Sequence, residues 1–97
     1  MNNLNSVLIE GSLLKSATVS HVEGKEIVWL DMKCFRYEKV DDELREEELV
    51  VSVRVRVKPL AEICERRCEA GLGVRIVGRL FQLKDRIHID AEHVEFK

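Results

Sequence analysis

The sequence has 97 residues, of which 45% are apolar and 35% are charged, with one proline and five glycines. A chain of this length forms one domain around a single modest core, so two independent domains are excluded. Sixteen basic and eighteen acidic residues give a formal net charge of −2, so the total charge offers no argument for a nucleic-acid partner.

Membrane and secreted classes are also disfavoured. No segment approaches the about 20 consecutive apolar residues that a membrane helix needs, and the amino terminus lacks the basic region of a secretion signal. The three cysteines, Cys34, Cys64 and Cys68, are an odd number without the spacing of a disulfide framework. We therefore expect a soluble, cytoplasmic protein with no membrane partner.

Two strands separated by a loop are predicted first along the chain. Residues 4–14 are apolar and β-branched, and the polar stretch 15–25 is predicted to be a loop. Over residues 26–38 the side chains alternate between two faces, which predicts a second strand. Its aliphatic face carries Val28, Leu30, Met32 and Cys34, and its mixed face carries Ile27, Trp29, Asp31, Lys33, Phe35 and Tyr37.

An acidic segment follows the second predicted strand. Residues 38–48 contain seven acidic and two basic residues, a local charge of −5, so the other 86 residues carry +3. Too few apolar side chains are present to bury, which predicts a solvated loop or a frayed hairpin tip. Residues 49–57 then alternate valines with Ser52, Arg54 and Arg56, predicting a third strand with its valines inward and its arginines outward.

A helix and two further strands complete the chain. Pro59 suits the first turn of a helix over residues 61–70, and Gly71 suits its end. Residues 73–83 and 86–96 are predicted strands joined by a tight turn at residues 84–85. Cys64 and Cys68 are spaced to share a metal ion, but no second Cys or His pair lies at short range. Core packing is favoured for both cysteines, and no metal site or cofactor is predicted.

The predicted order is three strands, one helix and two strands. This is the order of the OB-fold, a five-stranded Greek-key barrel with its helix between strands three and four. The sequence therefore predicts an all-β domain with one helix over residues 1–97. Ligands of OB-folds lie across the outer face of the second and third strands, so the mixed face above is the surface of interest.

Four blocks of sequence carry a resemblance to a known family. They are NNLNSVLIEG at 2–11, VKPLAE at 57–62, GLGVRIVGRL at 71–80 and DAEHVEFK at 90–97. In this order they resemble the bacterial single-stranded DNA-binding proteins. The resemblance implies a homo-oligomer, either a tetramer or a dimer of two-domain chains, that binds single-stranded DNA without sequence preference. It also implies a role beside replication, recombination or repair proteins and no enzymatic activity.

The resemblance also gives candidate DNA-binding residues. In that family aromatic side chains on the groove face stack on bases, and basic side chains follow the phosphates. For Trp29, Phe35 and Tyr37 the alternative is packing at a subunit interface or in the core, and for Phe81 it is packing in the core. For Arg54 and Arg56 it is a solvated strand face. The candidates in this sequence are Trp29, Lys33, Phe35, Tyr37, Arg54, Arg56, Lys58 and Phe81.

The sequence departs from the family in three respects. Residues 56–60 carry no aromatic residue before the helix, residues 38–48 are acidic where family members are often basic or aromatic, and no acidic tip occurs within the 97 residues. These departures support an alternative function. The alternative is a tail-less OB-fold protein-interaction module of the primosomal type that binds DNA weakly. No arrangement of residues typical of a catalytic site is found, so an enzyme is not expected.

Overall fold

The computed structural model describes residues 3–97, which form one six-stranded sheet and one helix. The strands follow the order β1-β5-β6-β4-β3-β2 across the sheet. The elements are β1 (Val7–Leu13), β2 (Thr18–Val22), β3 (Lys25–Val40), β4 (Glu43–Val55), α1 (Lys58–Arg67), β5 (Gly73–Leu83) and β6 (Arg86–Phe96).

The sheet closes into a barrel because β1 pairs with two strands. It runs antiparallel to β5 along its length and also pairs with β3 through Ser12 and Leu13. Gly11 stands at this crossing, where a Cβ atom would fall against the carbonyl oxygen of Lys33. The missing side chain therefore allows β1 to approach β3 closely. The result is a closed five-stranded barrel with one extra strand, consistent with the predicted OB-fold.

The barrel core confirms the alternation found in the sequence. On β3, the aliphatic face of Val28, Leu30 and Met32 is fully buried, and Val53 and Val55 of β4 lie opposite it in the paired strands. Residues of α1 and its carboxyl end pack into the same core. These are Ala61, Cys64 and Cys68, all of them buried in the same cluster as the strand residues.

The predicted position of the helix is wrong by one strand. Residues 18–22 were expected in a loop but form β2, which pairs with the start of β3 across a turn at Glu23 and Gly24. The helix consequently lies between the fourth and fifth strands. Most of β2 is exposed, so it has no buried face and no apolar alternation to reveal it.

The acidic segment forms a regular hairpin instead of a loop. Strands β3 and β4 stay paired in an unbroken register out to Val40 and Glu43. Asp41 and Asp42 form the two-residue turn with φ angles of 52° and 64°, the left-handed conformation that such tight hairpins need. We call residues 35–48 the acidic ribbon; all of them except Val40 are exposed. The predicted hairpin is confirmed, but its strands are paired out to the turn and are not frayed, and the solvated loop is wrong.

The second half of the chain follows the prediction closely. Strands β5 and β6 have the predicted bounds, and Lys84 and Asp85 form their turn. Helix α1 ends at Arg67, earlier than predicted, and the Cys68 amide closes it by donating to the Cys64 carbonyl at 2.9 Å.

The cysteines are packed in the interior. All three are free and buried. A hydrogen bond with Cys68 and burial raise the pKa of the Cys64 thiol, which keeps it protonated. Within residues 3–97, no group of three or more His, Cys, Asp or Glu side chains is arranged to hold a metal ion. The same part of the chain contains no helix long and apolar enough to cross a membrane.

Candidate nucleic-acid interface

Three strands bring their outer side chains together in one row. Trp29 of β3 lies opposite Arg54 of β4 in the antiparallel pairing, and Arg54 lies opposite Asp90 of β6 in the parallel pairing. Asp90 in turn lies opposite Arg79 of β5. Directly paired residues point to the same side of a sheet, so this row crosses the outer surface of the barrel.

A cluster of three aromatic rings lies beside this row. The ring centroid of Trp29 is 5.7 Å from that of His88, in an edge-to-face arrangement, and 6.4 Å from that of Phe81. Phe81 and His88 are cross-strand partners of the β5–β6 hairpin with centroids 5.5 Å apart. We call Trp29, Phe81 and His88 the ring cluster. All three rings are half-buried, so each one keeps surface open to solvent.

The guanidinium group of Arg54 covers one part of the ring cluster. Its central carbon lies 3.5 Å from the centroid of the Phe81 ring, in cation–π contact. The Arg54 Nε also donates to Asp90 Oδ1 at 3.0 Å, and the two side chains are only 19% and 21% exposed. Arg54 is therefore held in place on two sides and contributes a flat, charged surface next to the rings.

Arg56 binds the same Asp90 carboxylate from the solvent side. Its Nε donates to Asp90 Oδ1 at 3.0 Å and its Nη2 donates to Asp90 Oδ2 at 2.5 Å, which makes a bidentate ion pair. Burial alone would raise the pKa of Asp90, but the hydrogen bonds from Arg56 and Arg54 outweigh burial and hold this pKa below its ordinary 3.8. The hydrogen bond to Asp90 likewise raises the pKa of Arg56.

The remaining predicted residues of β3 lie farther along the same face. Lys33 is half-buried opposite Val50, close to the β1 crossing. Phe35 and Tyr37 are exposed on the acidic ribbon, where their cross-strand partners are Glu48 and Glu46. The structure therefore separates these two aromatic residues from the ring cluster and places each beside a carboxylate.

Lys58 lies beyond Arg56 along the chain, at the start of α1. With Arg56 and Lys25 it lines a surface depression of about 530 Å³ between the β2–β3 turn and the helix. Glu26 and Glu62 line the same depression, so its charge is mixed. The depression extends the basic surface beyond Arg56, but the two glutamates make this extension only weakly positive.

Two members of this surface were not among the sequence candidates. His88 was not predicted, because its contact with Trp29 depends on strands that are far apart in the chain. Asp90 was not singled out at all. The pairing of β4 with β6 brings it to Arg54, from which it is separated by 36 positions in the sequence, and the charge pattern of either strand alone gives no signal of that contact.

Solved structures of single-stranded DNA-binding proteins share this fold. The Plasmodium falciparum protein in complex with single-stranded DNA has a TM-score of 0.86 at 12% identity, covering 100% of this chain and 97% of that one. The wild-type Thermus aquaticus protein has a TM-score of 0.82 at 21% identity, and 97% of this chain covers 50% of it. PriB from Ralstonia solanacearum has a TM-score of 0.78 at 16% identity, with 97% and 98% covered.

These likenesses establish the fold. The resemblance seen in the sequence is confirmed at this level, since structures of single-stranded DNA-binding proteins match the whole barrel. No protein-family model matches the sequence, and no curated protein matches it.

The lowered pKa of Asp90 predicts a dependence of stability on pH. A carboxyl group with a lower pKa in the folded state stabilises the fold above its unfolded pKa, and the contribution is lost as pH falls through the folded value. At about pH 6 we expect Asp90→Asn to lower the free energy of unfolding by about 1–2 kcal/mol, a value discounted because Arg56 is half exposed. Near pH 2 the gap from wild type should shrink. Urea unfolding at both pH values checks this, and an equal gap at both would contradict it.

Proposed function

We propose that this protein binds single-stranded DNA without sequence preference and without enzymatic activity, in the cytoplasm, during replication, recombination or repair. One observation carries the proposal. A solvent-accessible ring cluster with a guanidinium group beside it lies on the outer face of an OB barrel, which is the face where OB-folds bind oligonucleotides. The shared fold of proteins described as binding single-stranded DNA supports it.

The chemistry of the ring cluster suits unpaired bases. Every base has a π-face, so stacking on an aromatic ring contributes about 1–3 kcal/mol per base whatever the sequence. Trp29 and His88 offer ring surface directly, and Arg54 offers its guanidinium plane above Phe81. Paired bases are stacked on each other inside a duplex, so this surface favours single strands.

Phosphate contacts are the weaker part of the interface. The predicted phosphate contacts in this region are Arg54, Arg56 and Lys58, but Asp90 neutralises one charge and the depression beside Lys58 contains two glutamates. Each phosphate neutralised makes the affinity for a single strand fall with salt, with a logarithmic slope of about −0.7. We therefore propose binding that depends more on stacking than on charge.

Fluorescence of the sole tryptophan tests this function directly. Oligo-dT of about 35 nucleotides, a length that spans several OB-fold sites, should quench Trp29 and bind less tightly as salt is raised. Phe81→Leu should weaken binding about five- to one-hundredfold, because the Arg54 guanidinium loses the ring that supports it as a stacking surface. Phe96→Leu is the matched control, since Phe96 also lies under an arginine, Arg67, at 4.3 Å, but away from the ring cluster. The absence of both quenching and binding in wild type would overturn the proposal.

We also propose that the protein self-associates, as a dimer or a tetramer. Within residues 3–97, the stretch of β1 between Val7 and Gly11 is paired only with β5, which leaves its other edge open. On the outer face beside this edge, Leu8 is 63% exposed and pairs with Val77, which is also exposed. An open strand edge next to exposed apolar side chains favours pairing with a second copy.

The mass in solution checks self-association. Light scattering should give a multiple of the 11.2 kDa monomer. Leu8→Lys should lower that mass because it places a charge in the apolar contact. Ile87→Lys, at a residue equally exposed on the β5–β6 hairpin, should leave it unchanged. A monomeric wild type, or a mass that Leu8→Lys does not change, contradicts this interface.

The acidic ribbon favours a second candidate function. It extends from the barrel with both faces exposed, and Leu44 is exposed among its glutamates. Isolated two-stranded hairpins are marginally stable in water, and exposed apolar residues on one are typical of a contact surface. The candidate is a protein-interaction module of the primosomal type, and the fold shared with PriB is compatible with it.

Charge removal on either face of the acidic ribbon separates the two candidates. Glu46 and Glu48 share the face of Tyr37 and Phe35, whereas Glu43 and Glu47 lie on the opposite face. If DNA follows β3 onto the ribbon, Glu46→Gln with Glu48→Gln should tighten oligo-dT binding about three- to tenfold at low salt. Glu43→Gln with Glu47→Gln, an equal change of charge, should have a smaller effect. Unchanged DNA affinity in both double variants would favour the interaction candidate for the ribbon.

A further inference from the structure

Within residues 3–97, Asp90 is the one acidic group that contacts both Arg54 and Arg56 beside the ring cluster. The two contacts differ. Arg54 donates a single hydrogen bond from Nε, is 19% exposed and also lies on Phe81. Arg56 donates from both Nε and Nη2, one to each carboxylate oxygen, and is 53% exposed. The contact between Arg56 and Asp90 is therefore accessible to a ligand. Arg54, in contrast, is held between Asp90 and the Phe81 ring.

The paired donors of Arg56 are the group that would bind a phosphate. Guanidinium binds carboxylate and phosphate in the same way, through two parallel N–H donors to two oxygens. With its Nε and Nη2 on Asp90, Arg56 cannot present these same donors to a second anion. A phosphate that approached without displacing Asp90 would also lie close to its negative charge.

We propose that Asp90 occupies, in the free protein, the position that a DNA phosphate takes on Arg56, and that DNA binding displaces it there while Arg54 stays bound to it. This inference rests on the proposed function, since it assigns a regulatory contact within the same site. Asp90 is a positioning residue with two effects. It holds Arg54 flat above Phe81, and it limits the affinity of the outer arginine for the phosphate backbone.

The inference has a measurable consequence for salt dependence. In wild type, the attraction between Arg56 and a bound phosphate is offset by repulsion from the Asp90 carboxylate, which remains beside that phosphate. Without that charge, Arg56 neutralises one more phosphate, and the logarithmic salt slope should become steeper by about 0.7. Binding at low salt should become about three- to tenfold tighter.

Titration of oligo-dT into Asp90→Asn over a range of salt concentrations tests the inference. The amide keeps the shape of Asp90 and one oxygen that can accept from Arg54, so the fold should persist, and thermal melting confirms it. Should this variant fail to fold, Asp90→Ser provides the second test with the same expected slope. Glu10→Gln is the matched control, because Glu10 also holds two cations, Arg75 Nε at 2.7 Å and Lys97 Nζ at 2.8 Å, at the far end of the sheet. Its affinity and its salt slope should equal those of wild type.

A double variant shows whether Asp90 acts through Arg56. In an Arg56→Gln background the added Asp90→Asn should give little further gain. An Asp90→Asn protein with unchanged or weaker binding, an unchanged slope, or a gain matched by Glu10→Gln would overturn the inference. Failure of the proposed function is recognised separately, because wild type itself would then neither bind oligo-dT nor show quenching of Trp29.

Discussion

The parallel pairing of β4 with β6 is the constraint on which both the barrel and its outer surface depend. It joins Val53 to Ile89 and Val55 to Ala91, which are buried, and thereby connects the first part of the sheet to the second. The residues between them, Arg54 and Asp90, necessarily point outward because side chains alternate along a strand. Core packing thus fixes the register that brings this arginine and this carboxylate together.

The ring cluster follows from the same register. With Asp90 opposite Arg54, His88 lies two residues earlier on the outer side of β6, and the tight turn at Lys84 and Asp85 sets Phe81 opposite His88. Trp29 reaches both rings from β3 because it is the cross-strand partner of Arg54. The surface therefore combines residues from four strands, and none of these strands carries it alone.

This origin explains how much could be predicted from the sequence. The buried faces of β3 and β4 and the full extents of β5 and β6 were predicted, because burial of one face imposes a local alternation that the sequence displays. Strand β2 and the acidic ribbon bury almost nothing, so their strands are defined by hydrogen bonding and tight turns without an apolar pattern. Asp90 and His88 were missed for a different reason, since their roles arise from pairings between distant strands.

The positions of the charged residues in the structure show where the net charge of −2 arises. Many of the acidic residues lie on the acidic ribbon, away from the ring cluster. Their charge would therefore repel only DNA that follows β3 outward onto the ribbon. Beside the ring cluster, Arg54 and Arg56 share the carboxylate of Asp90, so these three groups together carry a single net positive charge. Because a stacked ring keeps its attraction at high salt while a phosphate contact loses it, the proposed function implies that this surface retains single strands through stacking, and that displacement of the Asp90 carboxylate tunes their release.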